Sequence, residues 1–182
     1  MGVMDDLLAK KPETRRVEVP LDPDLAERYS AAKVRLDQAK RLSDASPKDG
    51  DRAADLEAAQ EECDALRAEL EPCMAKFVLR SVSPVEFEAL KGKNRPTEKQ
   101  RTDYRKSGVE APEWNPDTFQ PALVAAACVE IVTPNGTQDG LAEDDALSIW
   151  KSESWNVGVR NELFGAALSA YFSFTKVDLG KG

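Results

Sequence analysis

Two rows of apolar residues in the first half of the chain most constrain what it can fold into. The first row recurs at intervals of four and three residues and consists of Leu25, Tyr29, Ala32, Leu36 and Ala39. The second row has intervals of three and four and consists of Leu56, Ala59, Cys63, Leu66 and Leu70. Because such intervals place each row on one face of a helix, we predict helices over about 24–42 and 51–71. The turn composition of residues 43–50 then predicts an antiparallel helical hairpin.

The predicted hairpin is rich in alanine, which lets helices approach closely but buries little apolar area. We therefore expect residues 15–75 to form an arm that spaces or packs, with direct recognition of a partner as the alternative. A short strand is predicted on each side of the hairpin, over 15–19 and 76–82. The first alternates polar and apolar residues, and the second contains the apolar run Phe77-Val78-Leu79. We expect these strands to pair into a small two-stranded β ribbon.

The second half of the chain carries patterns typical of further helices. Ser83 before Pro84, with Glu86 after it, is a helix start and predicts a short helix to about Lys91. Longer helices are predicted over about 116–132, 142–152 and 156–172, with a loop over 133–140. The predicted fold is therefore mainly α, a helical bundle with the hairpin and the ribbon. The predicted organisation is a mobile segment at 1–14, the arm at 15–75, a helical domain at 76–175 and a tail at 176–182.

The formal charge of −8 argues against a general binder of nucleic acid or of an anionic membrane, because both attract a positive field. No apolar run approaches the roughly 20 residues that span a bilayer, and the N-terminus does not resemble a signal sequence, so a cytoplasmic protein is expected. Residues 91–106 depart from the acidic balance, with seven basic and two acidic side chains. We interpret this stretch as a solvated loop with a frayed helix. Docking on an acidic partner and nucleic-acid binding are the alternatives.

The sequence shows no recognisable arrangement of catalytic residues. The chain contains no histidine, which removes the commonest general base near neutral pH and the commonest metal ligand. The run Glu143-Asp144-Asp145 lies in the first turn of a predicted helix, where the helix dipole explains it. Three cysteines without metal-ligand spacing predict reduced, partly buried thiols. We therefore predict a protein that is not an enzyme and holds no cofactor or metal.

The aromatic residues are concentrated in the second half of the chain. We expect them to fill the core around the last helices, and the alternative is that they contact a partner. The candidate partner-binding residues are Trp114, Phe119, Trp150, Trp155, Phe164, Tyr171 and Phe172.

An ordered series of short motifs runs through the same half. It comprises Phe77-Val78-Leu79-Arg80-Ser81-Val82-Ser83-Pro84-Val85-Glu86-Phe87-Glu88-Ala89-Leu90, then Arg95-Pro96-Thr97, the block from Trp114-Asn115-Pro116-Asp117-Thr118-Phe119 to Cys128, Leu141-Ala142-Glu143-Asp144-Asp145-Ala146-Leu147, and Asn161-Glu162-Leu163-Phe164-Gly165-Ala166-Ala167. Each piece alone is a helix start or an amphipathic run. In this order, over about a hundred residues, they resemble the tail assembly chaperones of long-tailed bacteriophages, particularly those that infect actinobacteria.

The resemblance implies a function without catalysis. Such chaperones bind the long helical tape measure protein, keep it soluble, help to recruit tail tube subunits and are absent from the finished virion. They are commonly made in two lengths by a programmed frameshift, so the resemblance implies that this chain is the shorter product and that a longer form contacts the tail tube protein. Self-association is left open. The alternatives are a structural virion component, such as a tail or connector subunit, and a coiled-coil adaptor.

Overall fold

The computed structural model describes residues 14–46 and 49–172. The predicted mobile segment, apart from Thr14, and the predicted tail at 176–182 lie outside the described residues. Four strands are present: β1 (Thr14–Pro20), β2 (Met74–Arg80), β3 (Cys128–Thr133) and β4 (Gly136–Asp139). The described residues also contain seven α-helices. They are α1 (Pro23–Ala45), α2 (Gly50–Leu70), α3 (Pro84–Lys93), α4 (Glu98–Lys106), α5 (Pro116–Ala127), α6 (Glu143–Lys151) and α7 (Val157–Phe172).

The predicted fold class is wrong, because the protein is mixed α+β and not mainly α with a two-stranded ribbon. The four strands form one antiparallel sheet in the order β1-β2-β3-β4. Strands β1 and β2 do pair, and Glu18 of β1 lies within 3.7 Å of Lys76 of β2. The ribbon is therefore half of a larger sheet, and the missing half comes from residues that we assigned to a helix and a loop.

The predicted helix over 116–132 ends early, at Ala127, and the chain continues directly as β3. The alanines before this point favour a helix, but the segment that follows contains Val129, Ile131, Val132 and Thr133, which are β-branched and favour a strand. The predicted loop over 133–140 contains β4. Asn135-Gly136 between two extended segments is a strong hairpin signal, and the prediction of a loop did not take it into account.

The turn between β3 and β4 depends on a glycine. Gly136 has a φ of 138°, which an L side chain rarely adopts. The Thr133 hydroxyl closes the turn by accepting from the Asn135 N–H at 3.3 Å and donating to the Gly136 carbonyl at 3.2 Å. The turn therefore requires a residue at position 136 that tolerates a positive φ.

Replacing Gly136 with alanine should lower the free energy of unfolding by about 1 kcal/mol or more, because alanine strains a backbone with positive φ. Gly165 is the matched control, since it lies inside α7 and an added Cβ would meet nothing within 4 Å. Gly165→Ala should raise the free energy of unfolding by about 0.5–1 kcal/mol through helix propensity. Urea denaturation of both variants measures the two changes, and a Gly136→Ala variant as stable as the unmodified chain would contradict the assignment of this turn.

The basic stretch contains a regular helix. Residues 98–106 form α4, which begins with a complete capping box. The Thr97 hydroxyl accepts from the Gln100 N–H at 3.2 Å, and the Gln100 side chain accepts from the Thr97 N–H at 2.9 Å. These reciprocal bonds satisfy two donors at the helix start and stabilise the helix there. The prediction of a loop is therefore wrong for residues 98–106, whereas the predicted exposure to solvent agrees with a helix that buries none of its residues.

The described residues divide into two compact units. The first contains 14–17, 77–131 and 137–172, and the second contains 18–46, 49–76 and 132–136. In the first unit, α5 packs against α3, α6 and α7. Its side chains Phe119, Leu123 and Val124 are fully buried. Helix α5 is thus the centre of this unit's core.

The second unit contains the helical hairpin. Helices α1 and α2 run antiparallel, since Arg35 pairs with Glu62 at 2.9 Å while Arg52 donates to the Leu42 carbonyl at 3.1 Å. The two predicted apolar rows meet between them. The buried members are Leu25, Ala32, Leu36, Cys63, Leu66 and Leu70.

Candidate protein-binding surface

The start of α5 is built by one asparagine that makes several hydrogen bonds. The Asn115 side chain caps the helix by accepting from the Asp117 N–H at 3.1 Å, and Pro116 occupies the first helical turn, where no N–H is needed. The Gln100 amide donates to the Asn115 side-chain oxygen at 2.9 Å. The Asn115 N–H donates to the Asn94 carbonyl at 2.7 Å. These bonds fix the backbone next to Trp114 and so orient its ring.

Trp114 and Phe119 stack on each other at this helix start. Their ring centroids are 4.7 Å apart with an interplanar angle of 29°. Phe119 also meets Phe87 of α3 edge-on at 5.6 Å and Phe164 of α7 edge-on at 6.3 Å. Offset and edge-on arrangements are the favourable ones for aromatic rings. Phe119 therefore links three helices through ring contacts.

Phe87 extends the group of rings toward the end of α7. It stacks almost parallel on Tyr171, with centroids 4.2 Å apart, and meets Phe172 edge-on at 5.9 Å. We define the aromatic cluster as the six connected residues Phe87, Trp114, Phe119, Phe164, Tyr171 and Phe172.

The aromatic cluster runs from the core to the solvent. Phe119 and Phe87 are buried, whereas Trp114, Phe164 and Tyr171 are half-buried. Phe172 is 69% exposed. A large apolar ring in water that rests on other rings offers area for a partner, and its supporting rings hold it in place. The structure thus groups five of the seven candidate partner-binding residues, with Phe172 as the most accessible.

The other two candidates lie elsewhere in the first unit. Trp150 of α6 is buried, and its indole N–H donates to the Gln120 side chain at 3.2 Å. The Trp150 carbonyl accepts a hydrogen bond from the Arg160 guanidinium. Trp155 is half-buried and meets Phe77 edge-on at 6.0 Å. The contacts of both tryptophans are those of packing residues, and neither tryptophan belongs to the aromatic cluster.

Phe87 was missed as a member of this site. The sequence signal was present, because Ser83 caps α3 by accepting from the Glu86 N–H at 3.1 Å and thereby sets where the helix starts. That start places Val85 and Phe87 in different environments, with Val85 81% exposed and Phe87 buried. The pairing of Phe87 with Tyr171 depends on tertiary packing, which short-range sequence patterns do not report.

No group of three or more His, Cys, Asp or Glu residues that could hold a metal ion occurs within 14–46 and 49–172. Glu143, Asp144 and Asp145 lie in the first turn of α6 and are exposed. Burial raises the pKa of the Cys128 thiol to about 11, so this thiol stays protonated near neutral pH and is a poor nucleophile. Hydrogen bonds to Glu113 and Glu88 raise the pKa of Lys91, which keeps that side chain charged.

No family model, curated protein or solved structure gives a match to this chain. Among the described residues, no helix has the length and apolar character needed to cross a membrane.

Proposed function

We propose that this chain is a tail assembly chaperone of a long-tailed bacteriophage that binds the tape measure protein and keeps it soluble. The observation that carries the proposal is the ordered series of motifs between Phe77 and Ala167. Three of these motifs, around Phe87, Phe119 and Phe164, contribute rings to the aromatic cluster in the first unit. The proposed mechanism is stoichiometric binding without catalysis or a cofactor.

The aromatic cluster is a suitable place for such binding. A long helical partner with exposed apolar faces aggregates unless those faces are covered, and aromatic rings cover a large area at low entropic cost. The net charge of −8 would keep the complex in solution by mutual repulsion. Phe172, Tyr171 and Trp114 are the residues that we expect to touch the partner.

The proposal includes a setting and a second product. The chain would act in the cytoplasm of the infected bacterial host and be absent from the mature virion. A longer form made by frameshifting would add the contact to the tail tube protein. Sequencing of the coding region tests this part, because a slippery heptamer should lie near the codons for Gly180 and Lys181.

Co-expression with the tape measure protein encoded nearby tests the main proposal. We expect the tape measure protein to move into the soluble fraction and to elute with many copies of this chain in size-exclusion chromatography. A tape measure protein that stays insoluble and unbound would contradict the proposal. Recovery of this chain from purified particles would instead support a structural virion component.

The substitution Phe172→Ser should reduce the amount of soluble tape measure protein while leaving the fold intact, because the ring is mostly in solvent. Leu42→Ser is the matched control, since Leu42 is 55% exposed on the hairpin and lies outside the aromatic cluster. Circular dichroism checks that both variants fold. Loss of binding in Leu42→Ser alone would favour the coiled-coil adaptor.

A further inference from the structure

Helix α4 does not contribute to the core. None of its nine residues is buried, and it carries four basic and two acidic side chains. A helix that is polar on all sides gains little from packing, so its stability comes from its cap and its own ion pairs. Its side chains are therefore available for contacts with another molecule.

Several cations in the basic stretch have no ionic partner. Lys91 pairs with Glu113 at 2.7 Å and with Glu88 at 3.4 Å, and Arg101 pairs with Glu98 at 3.2 Å. Lys106 lies 4.0 Å from Asp103. The remaining four are exposed and form no ion pair within the described part of the chain; we call them the basic set: Lys93, Arg95, Lys99 and Arg105.

Arg95 adds a recess to this surface. It borders an open cavity of about 470 Å³, whose walls also include Arg101 and the two carboxylates that pair with Lys91, Glu88 and Glu113. Arginine binds carboxylates in a planar, two-bond geometry, and the cavity gives space next to Arg95 for such a group from another molecule. The basic set thus combines unpaired charge with room for a ligand.

Helix α2 has the opposite charge. It carries seven acidic and two basic residues. Glu57, Glu61 and Asp64 are spaced by four and three, which places them on one face, and all three are exposed. That face points away from the row of Cys63, Leu66 and Leu70 that packs in the hairpin. We call these three carboxylates the acidic row, and no residue in the described ranges forms an ion pair with it.

We propose that the basic set of one copy binds the acidic row of a second copy, so that the chain associates head to tail. The two surfaces are complementary in charge, because four cations without an ionic partner would meet three carboxylates without one. A contact between two different surfaces of identical chains leaves one of each free, so association continues into rings or filaments. This inference does not depend on the proposed function.

The chemistry favours a second copy over nucleic acid. The chain is acidic as a whole, and Tyr104 is the only aromatic residue in the basic stretch, whereas binders of single strands interleave aromatics with cations. The acidic row is present at the same concentration as the basic set in every solution of the protein. A second copy of this chain is therefore the partner that we propose, because the chain itself carries both the basic set and the acidic row.

Sedimentation velocity of the full chain at two salt concentrations provides the first test. We expect assemblies larger than a monomer at about 0.02 M salt and mostly monomer at about 0.5 M, because the Debye length falls from roughly 20 Å to roughly 4 Å. A monomer at low salt would overturn the proposal. Assemblies of equal size at both salt concentrations would overturn it as well.

Two charge reversals identify the surfaces. Lys99→Glu/Arg105→Glu and Glu57→Lys/Glu61→Lys should each weaken association at low salt by about tenfold or more, because each places like charges together. Mixing the two variants should restore association, since the reversed basic set then meets the reversed acidic row. In the mixture, the unchanged acidic row of the first variant also meets the unchanged basic set of the second, so failure of the mixture to associate would overturn the proposal.

Lys33→Glu/Lys40→Glu is the control for net charge. Both lysines are exposed on α1 and lie outside the two surfaces, and the substitution changes the charge by the same amount as in the basic set. This control should associate as the unmodified chain does. Weakening equal to that of the basic-set variant would show a general charge effect and overturn the proposal. Circular dichroism confirms that each variant retains its helices.

Discussion

The Phe119→Ala variant is expected to lose about 3–5 kcal/mol of unfolding free energy, the largest effect of any single substitution that we predict. The side chain is fully buried and contacts Phe87, Trp114 and Phe164 from three different segments. Truncation would leave a cavity and remove ring contacts together, and neither loss can be recovered by movement of a single neighbour. Urea denaturation followed by circular dichroism measures the change.

Phe172→Ala is the matched control for this experiment. It removes the same side chain from the same aromatic cluster, but Phe172 is 69% exposed. We expect a change within about 0.5 kcal/mol, as for most surface positions. If Phe119→Ala cost no more than Phe172→Ala, the placement of Phe119 at the centre of the core would be wrong.

The same residue illustrates how much of the fold could be predicted from the sequence. Asn115-Pro116 marked the start of α5, and the run of Ala122, Leu123 and Val124 already suggested an apolar helix. The end of α5 was not predictable in the same way, because Ala125, Ala126 and Ala127 continue a helical pattern up to the start of β3. Pairing with other strands, which local propensity does not report, decides that boundary.

The sequence predicted which residues form the candidate site better than it predicted how they are arranged. The chain's aromatic content identified five of the six cluster residues, but it did not separate Trp150 and Trp155 from them. It also left out Phe87, which contacts Tyr171 across 84 residues of sequence. Residues 91–106 give a second example. The sequence showed their excess of cations, but it did not predict the capped helix on which several of these cations lie. Local sequence patterns predict which residues are candidates and where helices start, whereas side-chain contacts depend on tertiary packing.

The hairpin offers a second prediction, based on how few large side chains its core contains. Its buried row includes Ala32 and Cys63 beside four leucines, so each leucine supplies a large share of the apolar area. Leu66 is 6% exposed and lies in the middle of this row. The Leu66→Ala variant is expected to lose about 2–4 kcal/mol of unfolding free energy in the second unit.

Hydrogen exchange is the appropriate measurement for Leu66→Ala, because it resolves the stability of separate segments. We expect exchange of the amides of α1 and α2 to accelerate by about thirtyfold or more, since each 1.4 kcal/mol corresponds to a factor of ten in the opening equilibrium. Leu42→Ala, at a position 55% exposed on the same hairpin, should leave these rates nearly unchanged. Equal effects of the two variants would mean that the apolar rows do not hold α1 and α2 together. A large effect of Leu66→Ala alone would show that an alanine-rich hairpin depends on its few leucines, because small side chains allow close approach but bury too little area to replace them.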